Sequence, residues 1–282
     1  MSQATGPRPL DEPRKTGDTR LDALARVLAI VDRLRASDGC PWDREQTVAS
    51  MAPSLVEEAH EAVEAIDRKD DGETAAELGD LFMVIALIAK IAEQERGRFD
   101  LARIADAVAE KLVRRHPHVF GEVRVDSSTQ ALANWEKIKE GERRAEQKDA
   151  SALAGVPVAL PALQRASRVS AKAISAGFKW DDVEGALAKV REEVRELEQA
   201  FLERERSPER VEQELGDVLL AAAFLGQYLG LDPEKAAREA LRRFEQRFRS
   251  MEAELGERLR SSTLPEMMAA WEKAKTETAR AR

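Results

Sequence analysis

At 282 residues, with 35% charged and 43% hydrophobic side chains, the chain has room for two domains of ordinary size. Few aromatics among abundant Ala, Glu, Arg and Leu favour helix over sheet, and a net charge of −8 argues against a binder of nucleic-acid polymers. No apolar run approaches the ~18 residues of a membrane span, residues 1–19 lack the apolar stretch of a secretory signal, and the lone Cys40 suits a reducing cytoplasm.

Residues 1–19, with Pro and Gly scattered among charges, are expected to form a disordered tail. Leu21, Leu24, Leu28, Val31 and Leu34 then recur at helical spacing, until Asp38-Gly39-Cys40-Pro41-Trp42-Asp43 breaks the helix. A second helix is expected from about Met51 to Ile66, ended by Asp70-Asp71-Gly72. A third covers roughly Glu73 to Gln94, with Leu78, Leu81, Phe82, Ile85 and Ile88 on its buried side. Asp100 is placed to cap a fourth, running to about Arg115. Helix returns near Ser128 and carries Asn134-Trp135-Glu136-Lys137-Ile138-Lys139.

The second half repeats this plan. Gly177-Phe178-Lys179-Trp180-Asp181 echoes Gly39 to Asp43, and Trp271-Glu272-Lys273-Ala274-Lys275 echoes Trp135 to Lys139. Paired positions stay between 132 and 138 residues apart, which marks an internal duplication. The expected division is a tail at 1–19, an N-terminal domain at 20–147, a linker at 148–160 and a C-terminal domain at 161–282.

The acidic pattern is the most informative repeat. Glu57-Glu58-Ala-His60-Glu61 is followed by Glu77-Leu-Gly-Asp80, and Glu192-Glu193-Val-Arg195-Glu196 by Glu214-Leu-Gly-Asp217. Carboxylates three and four apart share a helix face, so each copy presents two small acidic faces. Brought together, charges about 4 Å apart repel by roughly 4 kcal/mol at an effective dielectric near 20. A cation is needed to hold them, and all-oxygen donors suit a hard one, Mg²⁺ or Mn²⁺. A solvated surface face is the plain alternative for one copy, but recurrence inside apolar sequence weighs against it.

Other chemistries fit less well. A di-iron bundle needs Glu-x-x-His on two helices, and only Glu57-x-x-His60 supplies one. His116-Pro117-His118 has no Cys or His partner at zinc spacing. No Gly-Lys-Ser/Thr loop marks a P-loop nucleotidase. Lys111 and Arg115, like Arg243 and Arg247, share a helix face, while Lys139 and Lys275 each follow a Trp by four residues. Cations repeated beside an Mg²⁺-type acid cluster suggest a bound polyphosphate.

On GCPWDREQT (39–47), LVEEAHEAVEAID (55–67), ELGDLF (77–82), EKLVRRHPHVFG (110–121) and NWEKIK (134–139), the chain resembles the MazG family of nucleoside triphosphate pyrophosphohydrolases. The second copy adds GFKWDD (177–182), VREEVRELE (190–198), ELGDVL (214–219) and the Arg243/Arg247 pair, so the likeness spans about residues 20 to 280. The resemblance implies tandem all-α bundles, a homodimer completing them, and Mg²⁺-dependent cleavage of NTP or dNTP to NMP and pyrophosphate, with Mn²⁺ as a possible substitute. Carried over, the metal ligands are Glu58, Glu61, Glu77 and Asp80, and Glu193, Glu196, Glu214 and Asp217. Glu57 and Glu192 become water-orienting candidates. Lys111, Arg115 and Lys139, and Arg243, Arg247 and Lys275, contact phosphates, and Trp135 and Trp271 flank the base.

The copies differ. Lys189 lies four residues before Glu193, where copy one has Ser54, and is expected to strengthen phosphate binding; copy two is therefore expected to carry most of the hydrolysis. A non-catalytic nucleotide- or metal-binding regulator is the alternative, against which two intact acidic quartets speak. A purely structural helical protein leaves the repeated acids and bases unexplained.

Overall fold

Most of the long helices begin at a residue built to cap them. In the computed structural model, which describes residues 15–95, 97–145, 149, 151–203 and 207–280, the side chains of Asp18, Asp70, Asp100, Asp182, Ser207 and Asp232 each accept a backbone N–H of the first turn they precede. Such caps satisfy donors that a helix start leaves open, at about 1 kcal/mol each. Residues 1–14 of the expected tail lie outside the described residues, and Thr19 already begins a helix. No strand occurs among the described residues, and no single helix there is long and apolar enough to cross a membrane.

The chain divides into two compact units, residues 1–139 and 140–282. In the first, α1 (Thr19–Leu34) leads through a short α2 (Pro41–Glu45) to α3 (Ala52–Arg68) and α4 (Asp71–Gln94). The Gly39 to Asp43 break thus contains a helical turn of its own, started by Pro41 at its first position. Gly39 packs so closely on the end of α1 that an added Cβ would lie 2.2 Å from the Leu34 carbonyl oxygen. Arg35 ties this loop down, donating to the backbone oxygens of Asp43 and Gln46 and, at 2.8 Å, to Gln94 at the end of α4.

The α3–α4 junction is tighter than expected. Lys69 ends α3 in the left-handed region at φ 59°, Asp70 caps α4, and Asp71 and Gly72 belong to α4 itself. The two helices therefore form a close antiparallel hairpin. The core joins Val31 of α1, Met51, and Val84, Ala86, Leu87 and Ile91 of α4. This corrects the expected buried side of α4. Leu78 is 48% exposed, Leu81, Phe82, Ile85 and Ile88 are only partly buried, and the sealed stripe starts at Val84. The reason is compositional: α4 is apolar on most sides beyond Leu81, so periodicity alone does not select the inner face. α5 (Leu101–Arg115), a four-residue α6 (Pro117–Phe120) and α7 (Ser128–Ala145) follow.

The second unit holds α8 (Ala162–Ser175), α9 (Val183–Leu202), α10 (Pro208–Leu229), α11 (Pro233–Leu255), a 3₁₀ turn (Gly256–Ser261) and α12 (Leu264–Arg280). α9 and α10 make the counterpart of the α3–α4 hairpin, closed by small buried residues Ala186, Ala200, Ala221 and Ala223. α8 locks onto α10 where Gln227 donates to the Ser167 hydroxyl at 2.7 Å. The loop before α9 is anchored by Tyr228, whose hydroxyl accepts from the Trp180 N–H at 2.6 Å and donates to the Trp180 carbonyl at 3.0 Å. Trp180 meets the Phe224 ring edge-on at 5.6 Å and lies against Gly185 in the first turn of α9. The GFKWDD segment thus fixes where α9 starts, and hence where its acids stand.

Candidate metal and phosphate site

Each hairpin brings its acids to one place. In copy one, carboxylate oxygens of Glu58 and Glu61 on α3 and Glu77 on α4 all lie within 4.8 Å of one another. In copy two the same holds for Glu193 and Glu196 on α9 and Glu214 on α10. Six of the eight expected ligands therefore converge as two triads. Asp80 and Asp217, one helical turn beyond Glu77 and Glu214, are exposed and stand outside the tight triads. Asp80 is still near enough that its charge raises the pKa of both Glu58 and Glu77. Between the acids of each ELGD segment, Gly79 and Gly216 have open space where a Cβ would sit.

The electrostatics are those of a site short of positive charge. Desolvation first, then the neighbouring Glu61, Asp80, Glu77 and Glu57, push the Glu58 carboxyl above its ordinary 4.5. Glu77 is raised by desolvation and by Glu61 and Asp80, and Glu196 by desolvation and by Glu193 and Glu214. A hard divalent ion would fit this all-carboxylate donor set, and Glu58, Glu61 and Glu77, or Glu193, Glu196 and Glu214, would hold it.

The raised carboxyls give a pH dependence of defined sign. In metal-free protein these groups hold protons more tightly folded than unfolded, so they lower stability as pH rises from 4.5 through their raised folded values. Glu77→Gln should therefore raise the melting temperature in chelator at pH 7, and the gain should shrink as pH falls toward 4.5. Thermal melts of both proteins across that range check it, and a gain that grows on acidification would contradict the sign.

The acids also have cationic neighbours that the spacing argument overlooked. Arg210 lies 3.8 Å from Glu214, and Arg68 is 2.5 Å from Glu73, one turn before Glu77, where it lowers the Glu77 pKa. Both sit on the hairpin helices at positions that helical spacing alone could have flagged. Lys189 bonds both Glu192, at 2.8 Å, and Glu193, at 2.7 Å. Those bonds hold the Lys189 ammonium well above its usual range and the Glu192 carboxyl below its own. Glu57 and Glu192 are exposed beside the triads.

The basic residues gather around the tryptophans. In copy one the Trp135 ring has the Lys139 ammonium 4.6 Å and the Arg115 guanidinium 5.5 Å from its centroid. Lys111, one turn earlier on α5, is exposed. In copy two Trp271 packs instead on Phe244, with ring centroids 5.1 Å apart, and on the Met251, Leu255 and Ala270 core. Arg243 and Arg247 are half-buried on α11, the Arg247 Nε is buried with no hydrogen-bond partner, and Lys275 pairs with Glu272 at 3.3 Å. A buried guanidinium nitrogen without an acceptor suits an oxyanion partner. His116 bonds the Leu112 carbonyl through Nδ1 at 2.6 Å, and among the described residues no histidine joins a metal-type cluster.

Comparison with known proteins identifies the family. The MazG nucleotide pyrophosphohydrolase domain matches twice, at residues 46–120 and 182–256. Both matches span the acidic triads and the cationic pairs of α5 and α11, and both end before Trp135 and Trp271. The chain is 39% identical over 259 residues to the nucleoside triphosphate pyrophosphohydrolase of Escherichia coli, covering 90% of this chain and 98% of that protein. It is 40% identical over 253 residues to the nucleoside triphosphate pyrophosphohydrolase/pyrophosphatase MazG of Thermotoga maritima, covering 88% and 94%. A nucleoside triphosphate pyrophosphohydrolase of Mycolicibacterium smegmatis is 33% identical over 189 residues, 66% of this chain and 56% of that protein. With paired helical hairpins, paired acid triads and near end-to-end likeness to these relatives, the chain belongs to the MazG nucleotide pyrophosphohydrolase family and is a tandem, all-α enzyme of that kind.

Proposed function

We propose that the chain cleaves nucleoside triphosphates, ribo or deoxy and with ordinary or damaged bases, at the α-phosphate to give monophosphate and pyrophosphate, using Mg²⁺. The observation that carries this is the pair of acid triads, each closed within 4.8 Å by one helical hairpin and each containing carboxyls raised by desolvation and by neighbouring acids. Glu58, Glu61 and Glu77 with Asp80, and Glu193, Glu196 and Glu214 with Asp217, would hold the ion. Bound there, Mg²⁺ supplies charge neutralisation on phosphate oxygens and a lowered pKa for a coordinated water. Glu57 or Glu192 orients the attacking water by accepting its hydrogen bond. Lys111, Arg115 and Lys139, or Arg243, Arg247 and Lys275, take up the charge that develops on the leaving pyrophosphate. Trp135 or Trp271 offers a face to the base.

Such an activity suits clearance of unwanted nucleotides from the cytoplasmic pool. A homodimer is part of the reading, with the domains divided at a linker near 148–160. It is supported by apolar side chains left exposed on the hairpin helices beside the acids, Val56 and Leu78 in copy one and Val194, Leu215 and Leu219 in copy two. The test is product analysis with a panel of NTPs and dNTPs, in Mg²⁺ or in chelator. Monophosphate and pyrophosphate in Mg²⁺ alone are expected. Diphosphate and phosphate would overturn attack at the α-phosphate, and tight binding with no turnover would favour a nucleotide-sensing regulator.

A further inference from the structure

The two acid triads differ in their resident cations, which the shared fold does not require: Arg210 stands 3.8 Å from Glu214 in copy two, where copy one has Glu73. In copy two a lysine already sits on the acids. Lys189, 34% exposed, is bonded at 2.7 Å to Glu193, whose side chain is only 8% exposed, and at 2.8 Å to Glu192. Glu193 is the one charged side chain in the buried class among the described residues. An ionised carboxylate so placed needs a partner, because desolvation without one is costly. Ser54 holds the equivalent place on α3, four residues before Glu58, and a neutral hydroxyl cannot supply the charge.

We infer that Lys189 is a built-in counter-cation of the copy-two acids, one that a divalent ion must displace, so that this site takes up metal together with a polyphosphate while the copy-one site can take up metal alone. The inference rests on reading the acid triads as metal sites. A nucleoside triphosphate supplies what the exchange needs: its phosphate oxygens accept the ammonium that leaves Glu192 and Glu193, while its bound ion takes over the carboxylates. The four-residue helical spacing leaves the ammonium on the same face as the acids, so only side-chain rotation separates the two arrangements. Copy one lacks the competing cation. Its three carboxylates crowd within 4.8 Å of one another, and a metal ion relieves that repulsion without breaking a lysine–carboxylate bond.

The test uses Mn²⁺ as the probe, with free ion followed by electron paramagnetic resonance on the full-length protein without nucleotide. To isolate copy two, copy one is silenced by Glu58→Gln with Glu77→Gln. In that background Lys189→Met should tighten Mn²⁺ binding by about tenfold, the scale of one displaced, partly buried ion pair. The advantage should vanish once a triphosphate with a methylene α,β-bridge is present. Conversely, Ser54→Lys should loosen Mn²⁺ binding at copy one when copy two is silenced by Glu193→Gln with Glu214→Gln. If copy two binds Mn²⁺ equally or more weakly without Lys189, the counter-cation inference is overturned and the metal site stands. If copy two binds no Mn²⁺ with or without Lys189, even with the analogue present, the metal reading of that triad falls as well.

Discussion

Glu193→Gln should reduce pyrophosphate release by on the order of 10²–10³-fold, the loss seen when one preorganised electrostatic group is removed from an active site. Glutamine keeps the size and much of the hydrogen bonding of glutamate while deleting its charge, so the helices have little cause to shift. Among the copy-two triad Glu193 is the most enclosed, and it faces Glu214 across the α9–α10 hairpin. Its oxygen is held by Lys189 in the resting protein and is the donor least open to replacement by water. The measurement is steady-state pyrophosphate release at saturating Mg²⁺, with far-UV circular dichroism to confirm an unchanged helix content. Activity within about threefold of the parent would remove Glu193 from the machinery.

Glu196→Gln and Glu61→Gln, equivalent changes in the two copies, should behave unequally. The copy-two variant should lose at least about a hundredfold in turnover, while the copy-one variant should stay within about threefold. Two features favour copy two: an enclosed carboxylate at Glu193, and a lysine able to transfer from carboxylate to phosphate. A site that loads metal only with its substrate wastes less time occupied by metal alone. Equal losses in the two variants would end the asymmetry. The contrast is best read as the ratio of kcat/KM values, since a uniform binding role for copy one would move KM alone.

How far the sequence carried the fold depended on the kind of signal each residue gave. Cap residues are local, so Asp100 placed the start of α5 correctly. The duplication is legible because it appears at several separated positions, and the repeated acids it marks are those that converge as two triads. Burial along α4 was not legible. That helix is apolar nearly all round beyond Leu81, and only packing against α1 selects Val84, Leu87 and Ile91. Nor did residue spacing reveal that Asp71 and Gly72 join α4, because a left-handed Lys69 completes the turn alone. In the site, helical spacing put Lys189 on the face of Glu193, but spacing does not say whether an ammonium rests on carboxylate or phosphate. Arg210 reaches Glu214 along its own helix, a spacing the sequence does show, whereas Tyr228 meets Trp180 in the loop before α9, which no spacing shows.

The open space at Gly79 and Gly216 bears on how such an enzyme could be improved. A glycine inside a helix sacrifices about 0.5–1 kcal/mol relative to alanine, and here no neighbour within the chain forbids the extra methyl group. A variant library ranked by heat resistance would therefore converge on alanine at both places. Each such gain would put a methyl group one residue before an acid of the ELGD segment, on a side of the helix where nothing of the chain itself lies within 4 Å. Heat resistance would then rest on a single added carbon atom, placed twice in one polypeptide.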